Sequence, residues 1–174
     1  MAGLLFKNFT NMITLCNLLF GSISILYTVK GEFGPSAVFI ILAVLMDSMD
    51  GRLARRFHTT SELGKELDSL CDLVSFGVAP AILLYTQVFA NHVGYIALTA
   101  IILTLLYIIC GALRLARFNV LNNHEFFMGI PITLAGAFMA VISLFLSHLS
   151  APLILFIILV LALLMVSNIR VPKL

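Results

Sequence analysis

The sequence predicts an all-α membrane protein, six transmembrane helices packed as one compact bundle, and three observations carry that reading. Of 174 residues, 61% are hydrophobic and only 10% are charged, with a mean hydropathy of +1.14. A soluble domain normally carries about 25% charged residues, so too little charge remains to solvate a globular surface and lipid must cover most of it. The apolar residues also fall into six stretches, each near the ~20 residues that a membrane helix needs. Finally, the connections between stretches are short, and no repeat, low-complexity linker or composition shift divides the chain. Residues 1–174 are therefore expected to form a single domain.

The first span is expected over residues 11–29, stopping at Lys30, Gly31 and Glu32. Residues 1–10 hold one Lys and no small-residue cleavage site, so no signal peptide is expected and the first span is retained. This segment reads either as a short juxtamembrane stretch lying along the interface or as a frayed end. The second span opens at Pro35, a favourable first-turn residue, and runs to about Arg56. The third covers residues 63–90, with Pro80 expected to kink it. The fourth, fifth and sixth are expected over residues 93–118, 128–148 and 151–168. Short connections make neighbouring helices antiparallel.

Basic residues orient the bundle, because Lys and Arg accumulate on the cytoplasmic side. With the N-terminus inside, Lys7, Arg52, Arg55, Arg56, Lys65, Arg114, Arg117, Arg170 and Lys173 all fall on the cytoplasmic side, and only Lys30 falls outside. Both termini and the working face are thus expected to be cytoplasmic, in a multi-pass cell-membrane protein. No nucleic-acid partner is expected. Cys16, Cys71 and Cys110 lie in apolar runs without CxxC pairing and read as small buried hydrophobes. The four histidines, His58, His92, His124 and His148, fall in loops or helix ends and read as solvated.

Four of the eight acidic residues do not belong in lipid: Asp47, Asp50, Asp68 and Asp72 lie within the second and third spans. An ionised carboxylate there is costly and marks a functional site by default. Asp47 and Asp50 are three residues apart and Asp68 and Asp72 four, so each pair shares a helix face. Counted from the loop centre near residue 59, Asp50 and Asp68 are about nine residues away, and Asp47 and Asp72 about twelve to thirteen. At ~1.5 Å per residue the two pairs reach matched depths, roughly 13–20 Å from the loop tip. An antiparallel hairpin then gathers four carboxylates. Unneutralised, they would repel and take up protons. Hard oxygen ligands without His or Cys select Mg²⁺ or Mn²⁺, with Ca²⁺ as a further candidate, and two divalent cations on four carboxylates suit phosphoryl chemistry. The plainer alternative, ion pairing with Arg52, Arg55 and Arg56, is disfavoured because those arginines lie nearer the interface. Gly51, Ala54 and Gly64 keep the helices slim beside the acids. A helical glycine costs about 1 kcal/mol, and access for a flat polar ligand is favoured over close helix packing as its reason.

Written out, Asp47-Ser-Met-Asp50-Gly51-Arg-Leu-Ala54-Arg55, eight residues, then Gly64-xxx-Asp68-xxx-Asp72 resembles the signature of the CDP-alcohol phosphatidyltransferases at every fixed position. Asn17 to Gly21 (NLLFG), Gly111 to Asn119 (GALRLARFN), Phe127 to Pro131 (FMGIP) with Ala135-Gly136, and the closing Val166 to Lys173 are similar to the phosphatidylserine synthase branch. The resemblance implies six transmembrane helices, a homodimer, and transfer of the phosphatidyl group of CDP-diacylglycerol, or of a CDP-ether lipid, to the hydroxyl of L-serine with release of CMP. It implies that Asp47, Asp50, Asp68 and Asp72 hold the ions and that Asp72 takes the serine proton. It also places the CDP-lipid against Asn11, Thr14, Gly51, Ala54, Arg55 and Ser61, with Gly64 beside them. Asn11 reads equally as a helix-start residue, and Arg55 as a diphosphate partner ahead of a solvated interfacial arginine. Because a guanidinium fork suits a carboxylate, Arg114 and Asn119 are expected in the serine pocket with Arg117 as support, although positive-inside anchoring alone also explains both arginines. Within the family, acceptors such as inositol phosphate or glycerol 3-phosphate would need a denser basic pocket. A divalent-cation transporter is disfavoured because the outer halves of the second and third spans contain no acid.

Overall fold

Apolar runs of these lengths can satisfy their backbone groups in lipid only within helices or closed barrels, and six helices form. The computed structural model describes residues 2–57, 62–120, 126–146, 149–167 and 170–172, giving the backbone path alone for residues 2–10, 50, 53–57, 126–128 and 170–172. In chain order the helices are α1 (Ala2–Val29), α2 (Phe33–Phe57), α3 (Glu62–Phe89), α4 (Tyr95–Val120), α5 (Ile132–Leu144) and α6 (Ala151–Val166). Two three-residue strands, β1 (Phe126–Met128) and β2 (Arg170–Pro172), pair antiparallel with Phe127 opposite Val171.

Among the described residues, three helices are long and apolar enough to cross a membrane: α1 from Asn11, α3 and α4. The apolar parts of the others, Phe33–Met49, Ile132–Leu144 and Ala151–Val166, are shorter. At ~1.5 Å per residue, the 13 residues of α5 extend about 20 Å, less than the ~30 Å of a bilayer core. The shortfall against the expected 128–148 has a local cause. Gly129 takes φ 72°, a left-handed turn that ends the strand, and Pro131 then caps the helix start. A Cβ on Gly129 would also stand 2.8 Å from the Leu164 carbonyl oxygen, so both backbone angle and space require glycine there. At the other end of the chain, α1 starts at Ala2. Residues 2–10 are thus helical and continuous with the first span, and Asn11 is interior to that helix, which removes its helix-start reading.

α3 is the central helix: 56% of its apolar window is buried, against 28% for α1 and for α4. α1 lies along α2, α4 along α6, and α5 against α2 and the middle of α3. Outward faces remain apolar, as Met12, Leu15, Leu19 and Leu26 on α1 and Leu98, Ile102, Leu105 and Ile109 on α4 show. Cys71 and Cys110 are buried as expected, whereas Cys16 is exposed on α1 beside this outward face. Where α1 meets α2, the hydroxyls of Ser24, Thr28 and Ser36 are joined at 2.7–2.8 Å, the kind of interhelical polar contact that holds helices together without a hydrophobic drive.

Pro80 does not end α3. The helix passes through it by widening to π turns on both sides, Leu73–Val78 and Tyr85–Phe89, around the α segment Ala79–Leu84. Proline lacks the N–H that would reach the carbonyl four residues back, that of Phe76. The Tyr107 hydroxyl on α4 donates to that carbonyl instead, at 2.9 Å. Tyr107→Phe keeps the ring and strands the Phe76 oxygen in an apolar interior, which costs about 1–3 kcal/mol. The expected outcome is a lower unfolding temperature in detergent with helical circular dichroism unchanged; an unchanged unfolding temperature would show that the carbonyl is satisfied otherwise.

Candidate active site

The site begins as three helix stripes. On α2, Ser36, Ile40 and Ala43 are fully buried, and the same 4-3-4 spacing leads next to Asp47 and then to Gly51. On α3, Asp68, Asp72, Ser75 and Ala79 repeat that spacing, with Asp72, Ser75 and Ala79 buried. On α1 the polar and small residues Thr14, Asn17, Gly21, Ser24 and Thr28 are all buried and lie three or four apart, so they share one face. These stripes face one another.

Where they meet, carboxylate oxygens of Asp47, Asp68 and Asp72 all lie within 4.8 Å of one another. Asp72 is 7% exposed, and Asp47 and Asp68 are half-buried. Asp50 is on α2 one turn further on, its side chain outside the described residues. α1 closes the site from the side. A Cβ on Gly21 would come 2.7 Å from the Ser75 Cα, so only glycine lets these two backbones approach so closely. The Ser75 hydroxyl then donates to the Asn17 carbonyl at 3.0 Å, and the Asn17 amide donates to Asp72 Oδ1 at 3.0 Å. Asn17 enters the sequence reading only within the NLLFG stretch, with no role in the site. Its signal was the three-and-four spacing with Asn11 and Thr14 on one side and Gly21 on the other.

The remaining candidates divide clearly. Thr14 is buried on the α1 face, while Asn11, Gly51 and Gly64 are half-buried. Among the described residues, a Cβ on Gly51 would meet nothing within 4 Å. Ala54 and Arg55 are on the last turns of α2 with side chains outside the described residues, and Ser61 lies outside them altogether. On α4, Arg114 is half-buried in electrostatic reach of Asp72. Asn119 is bound to α3: its amide donates to Ser69 Oγ at 3.0 Å and to Glu66 Oε1 at 3.2 Å, while its carbonyl accepts from Lys65 Nζ at 2.9 Å. Arg117 donates to the Val166 carbonyl at 3.3 Å, supplying a cation and a donor at the C-terminus of α6, where carbonyls lack helical partners. Of the histidines, His92 is exposed and the other three lie outside the described residues.

The donor set fits a hard divalent cation. Three carboxylates this close repel unless positive charge lies among them, no His or Cys takes part in the cluster, and Asp68 Oδ1 is buried with no hydrogen-bond partner. Such an atom is satisfied by coordinating an ion. On α4 the need is opposite, for Arg114 Nε is a buried donor with no partner. Oxygen ligands from α2 and α3 thus lie in electrostatic reach of a guanidinium from α4.

The family model of the CDP-alcohol phosphatidyltransferases matches residues 7–167. The chain belongs to this family. Among curated relatives, the CDP-diacylglycerol–serine O-phosphatidyltransferase of Helicobacter pylori (strain ATCC 700392 / 26695) is 37% identical over 174 residues, covering 95% of this chain and 72% of the relative. The enzyme of the same name from Methanocaldococcus jannaschii is 41% identical over 94% of this chain and 73% of its own length. The archaetidylserine synthase of Methanothermobacter thermautotrophicus is 39% identical over 94% and 69%. These relatives are transferases, and with three helices long and apolar enough to span a bilayer this CDP-alcohol phosphatidyltransferase is a membrane protein. Its carboxylate cluster lies inside the matched region. Asp68→Asn is expected to weaken Mn²⁺ binding at least tenfold, read by the loss of the free-ion paramagnetic resonance signal, while unfolding without metal moves up or stays unchanged as repulsion is relieved. Unchanged Mn²⁺ affinity would remove Asp68 from the cluster's ligands.

Proposed function

We propose that this chain transfers the phosphatidyl group of CDP-diacylglycerol, or its CDP-ether-lipid counterpart, to the hydroxyl of L-serine, forming the serine phospholipid and CMP. The observation that carries the reading is a three-carboxylate cluster in electrostatic reach of Arg114, a half-buried cation whose Nε has no partner. The carboxylates suit cations that hold a diphosphate. The guanidinium suits the carboxylate of an amino-acid acceptor, which its planar fork meets with two parallel hydrogen bonds. Relatives named for serine transfer, 37–41% identical over most of this chain, support the same acceptor.

In this reaction the serine hydroxyl oxygen bonds to the phosphorus that carries the lipid, the bond from that phosphorus to the CMP oxygen breaks, and the serine proton leaves to a base. Asp47, Asp50, Asp68 and Asp72 hold two divalent cations, Mg²⁺ or Mn²⁺. When bound, such ions neutralise the diphosphate and stabilise the departing CMP. Asp72, the most buried of the described three, is the residue that takes the proton. Asn11, Thr14, Gly51, Ala54, Arg55, Ser61 and Gly64 line the nucleotide side, where the open space beside Gly51 leaves room for a flat ring. Arg114 binds the serine carboxylate. Asn119 and Arg117 brace that pocket by fixing the end of α4 to α3 and α6. The whole chain acts as one transmembrane unit of six spans, paired as a homodimer, with both termini and the site on the cytoplasmic side where nine of the ten basic residues fall.

Purified protein in CDP-diacylglycerol vesicles is expected to release CMP with L-serine but not with glycerol 3-phosphate or inositol phosphate. Chelation should abolish release and added Mg²⁺ or Mn²⁺ restore it; release with a phosphorylated acceptor in place of serine would overturn the assignment. In the same assay Asp72→Asn turning over near the wild-type rate with metal bound would exclude it as the base. Arg114→Lys keeps the charge and loses the planar fork. The expected result is a serine KM raised at least tenfold with the CDP-lipid KM unchanged, and an unmoved serine KM would take Arg114 out of the pocket.

A further inference from the structure

Asn17 has no exposed surface, and it sits inside the apolar bundle with its side-chain oxygen Oδ1 buried and without a hydrogen-bond partner. A leucine of similar volume would fill that place on α1 with no such penalty. What the amide supplies that leucine cannot is one N–H, and that N–H goes to Asp72 Oδ1 at 3.0 Å. Its own position is fixed from α3, since Ser75 Oγ donates to the Asn17 backbone carbonyl at 3.0 Å and Gly21 lets the two helices touch. Asp72 has two oxygens and must serve a cluster whose three members lie within 4.8 Å. A carboxylate free to rotate would present either oxygen, in either orientation.

We infer that Asn17 is the positioning residue of the cluster: by holding Asp72 Oδ1 from α1, it fixes the orientation in which that carboxylate meets the other two. This rests on the reading of Asp72 as cation ligand and proton acceptor proposed above. Asn17 acts through Asp72 by the hydrogen bond to Oδ1, much as hydrogen-bond partners behind a ligating carboxylate commonly change metal affinity or activity by about 10–100-fold when removed.

The test is Asn17→Leu in the full-length protein, with Asn17→Ala as a second variant in case the leucine form fails to insert. Three quantities are read: unfolding temperature without metal, Mn²⁺ affinity by paramagnetic resonance, and kcat and KM for CMP release at saturating Mn²⁺. The expected result is Mn²⁺ affinity at least tenfold weaker and kcat at least tenfold lower with the CDP-lipid KM within twofold, beside the lower unfolding temperature that loss of a buried hydrogen bond itself brings. A residue that merely packs α1 against α3 would lower the unfolding temperature and leave Mn²⁺ affinity in place. Mn²⁺ affinity within twofold of wild type in both variants, with kcat unmoved, overturns the inference. Should wild-type protein bind Mn²⁺ yet release no CMP with serine, the functional reading fails, and the Mn²⁺ arm still decides for or against Asn17.

Discussion

Negative charge inside an apolar bundle is the constraint around which this molecule is arranged. Asp47, Asp68 and Asp72 bring carboxylate oxygens within 4.8 Å of one another, on helices whose outward faces carry leucine, isoleucine and valine. Ionised carboxylates so placed are unfavourable both through desolvation and through mutual repulsion. Each neighbouring feature reduces one of these costs. An amide N–H from Asn17 reaches Asp72, Arg114 lies within its field, and Asp68 keeps an oxygen with no protein partner. Among the described residues that leaves a cluster whose chemistry suits a divalent cation.

The backbone makes that convergence possible. α3 carries two of the acids and packs against α1, α2, α4 and α5, so it must tolerate close approach on several sides. Gly21 admits α1 at Ser75, and Gly136 admits α5 at Phe76, where a Cβ would stand 2.7 Å from the Phe76 Cα. Directly after Asp72 the helix widens into a π turn, a distortion often found beside functional sites. Pro80 explains it locally, because a helix that lacks one N–H must rearrange its ladder. The consequence for the site is that the acids occupy a regular turn whose far end is tied to α4 through Tyr107. Rigidity is thus supplied by side chains from other helices, since in lipid a loosened carbonyl has no water to turn to.

Much of this was legible in the sequence because it is local. Hydropathy windows identify α1, α3 and α4, and the spacings of Asp47, Asp50, Asp68 and Asp72 already place carboxylates at matched depth on two helices. The end of α5 was not legible. An apolar run from Met128 to His148 carries no sign that residues 126–128 are drawn off to pair with residues 170–172, more than forty positions away. Arg117 shows the same limit. Its basic charge reads as orientation towards the cytoplasm, and only the fold reveals that the C-terminus of α6 lies within reach of its guanidinium. Asn17 failed to register for another reason: one amide barely changes the average of an apolar window, although its spacing to Asn11, Thr14 and Gly21 marks the inner face of α1.

The charges of the site also explain why neither kind of ligand is sufficient alone. Bringing a diphosphate beside Asp47, Asp68 and Asp72 would add like charge to like charge, and bringing cations without a diphosphate leaves their outer coordination to water. Each ligand therefore improves the site for the other, and thermodynamic linkage makes that help reciprocal. Arg114 stands outside this exchange, on α4, in electrostatic reach of Asp72. On the proposed reading, acceptor identity and proton removal are therefore set by one pair of residues on two helices, α3 and α4, and the Phe76–Tyr107 and Ser69–Asn119 contacts that join those helices keep that pair in register.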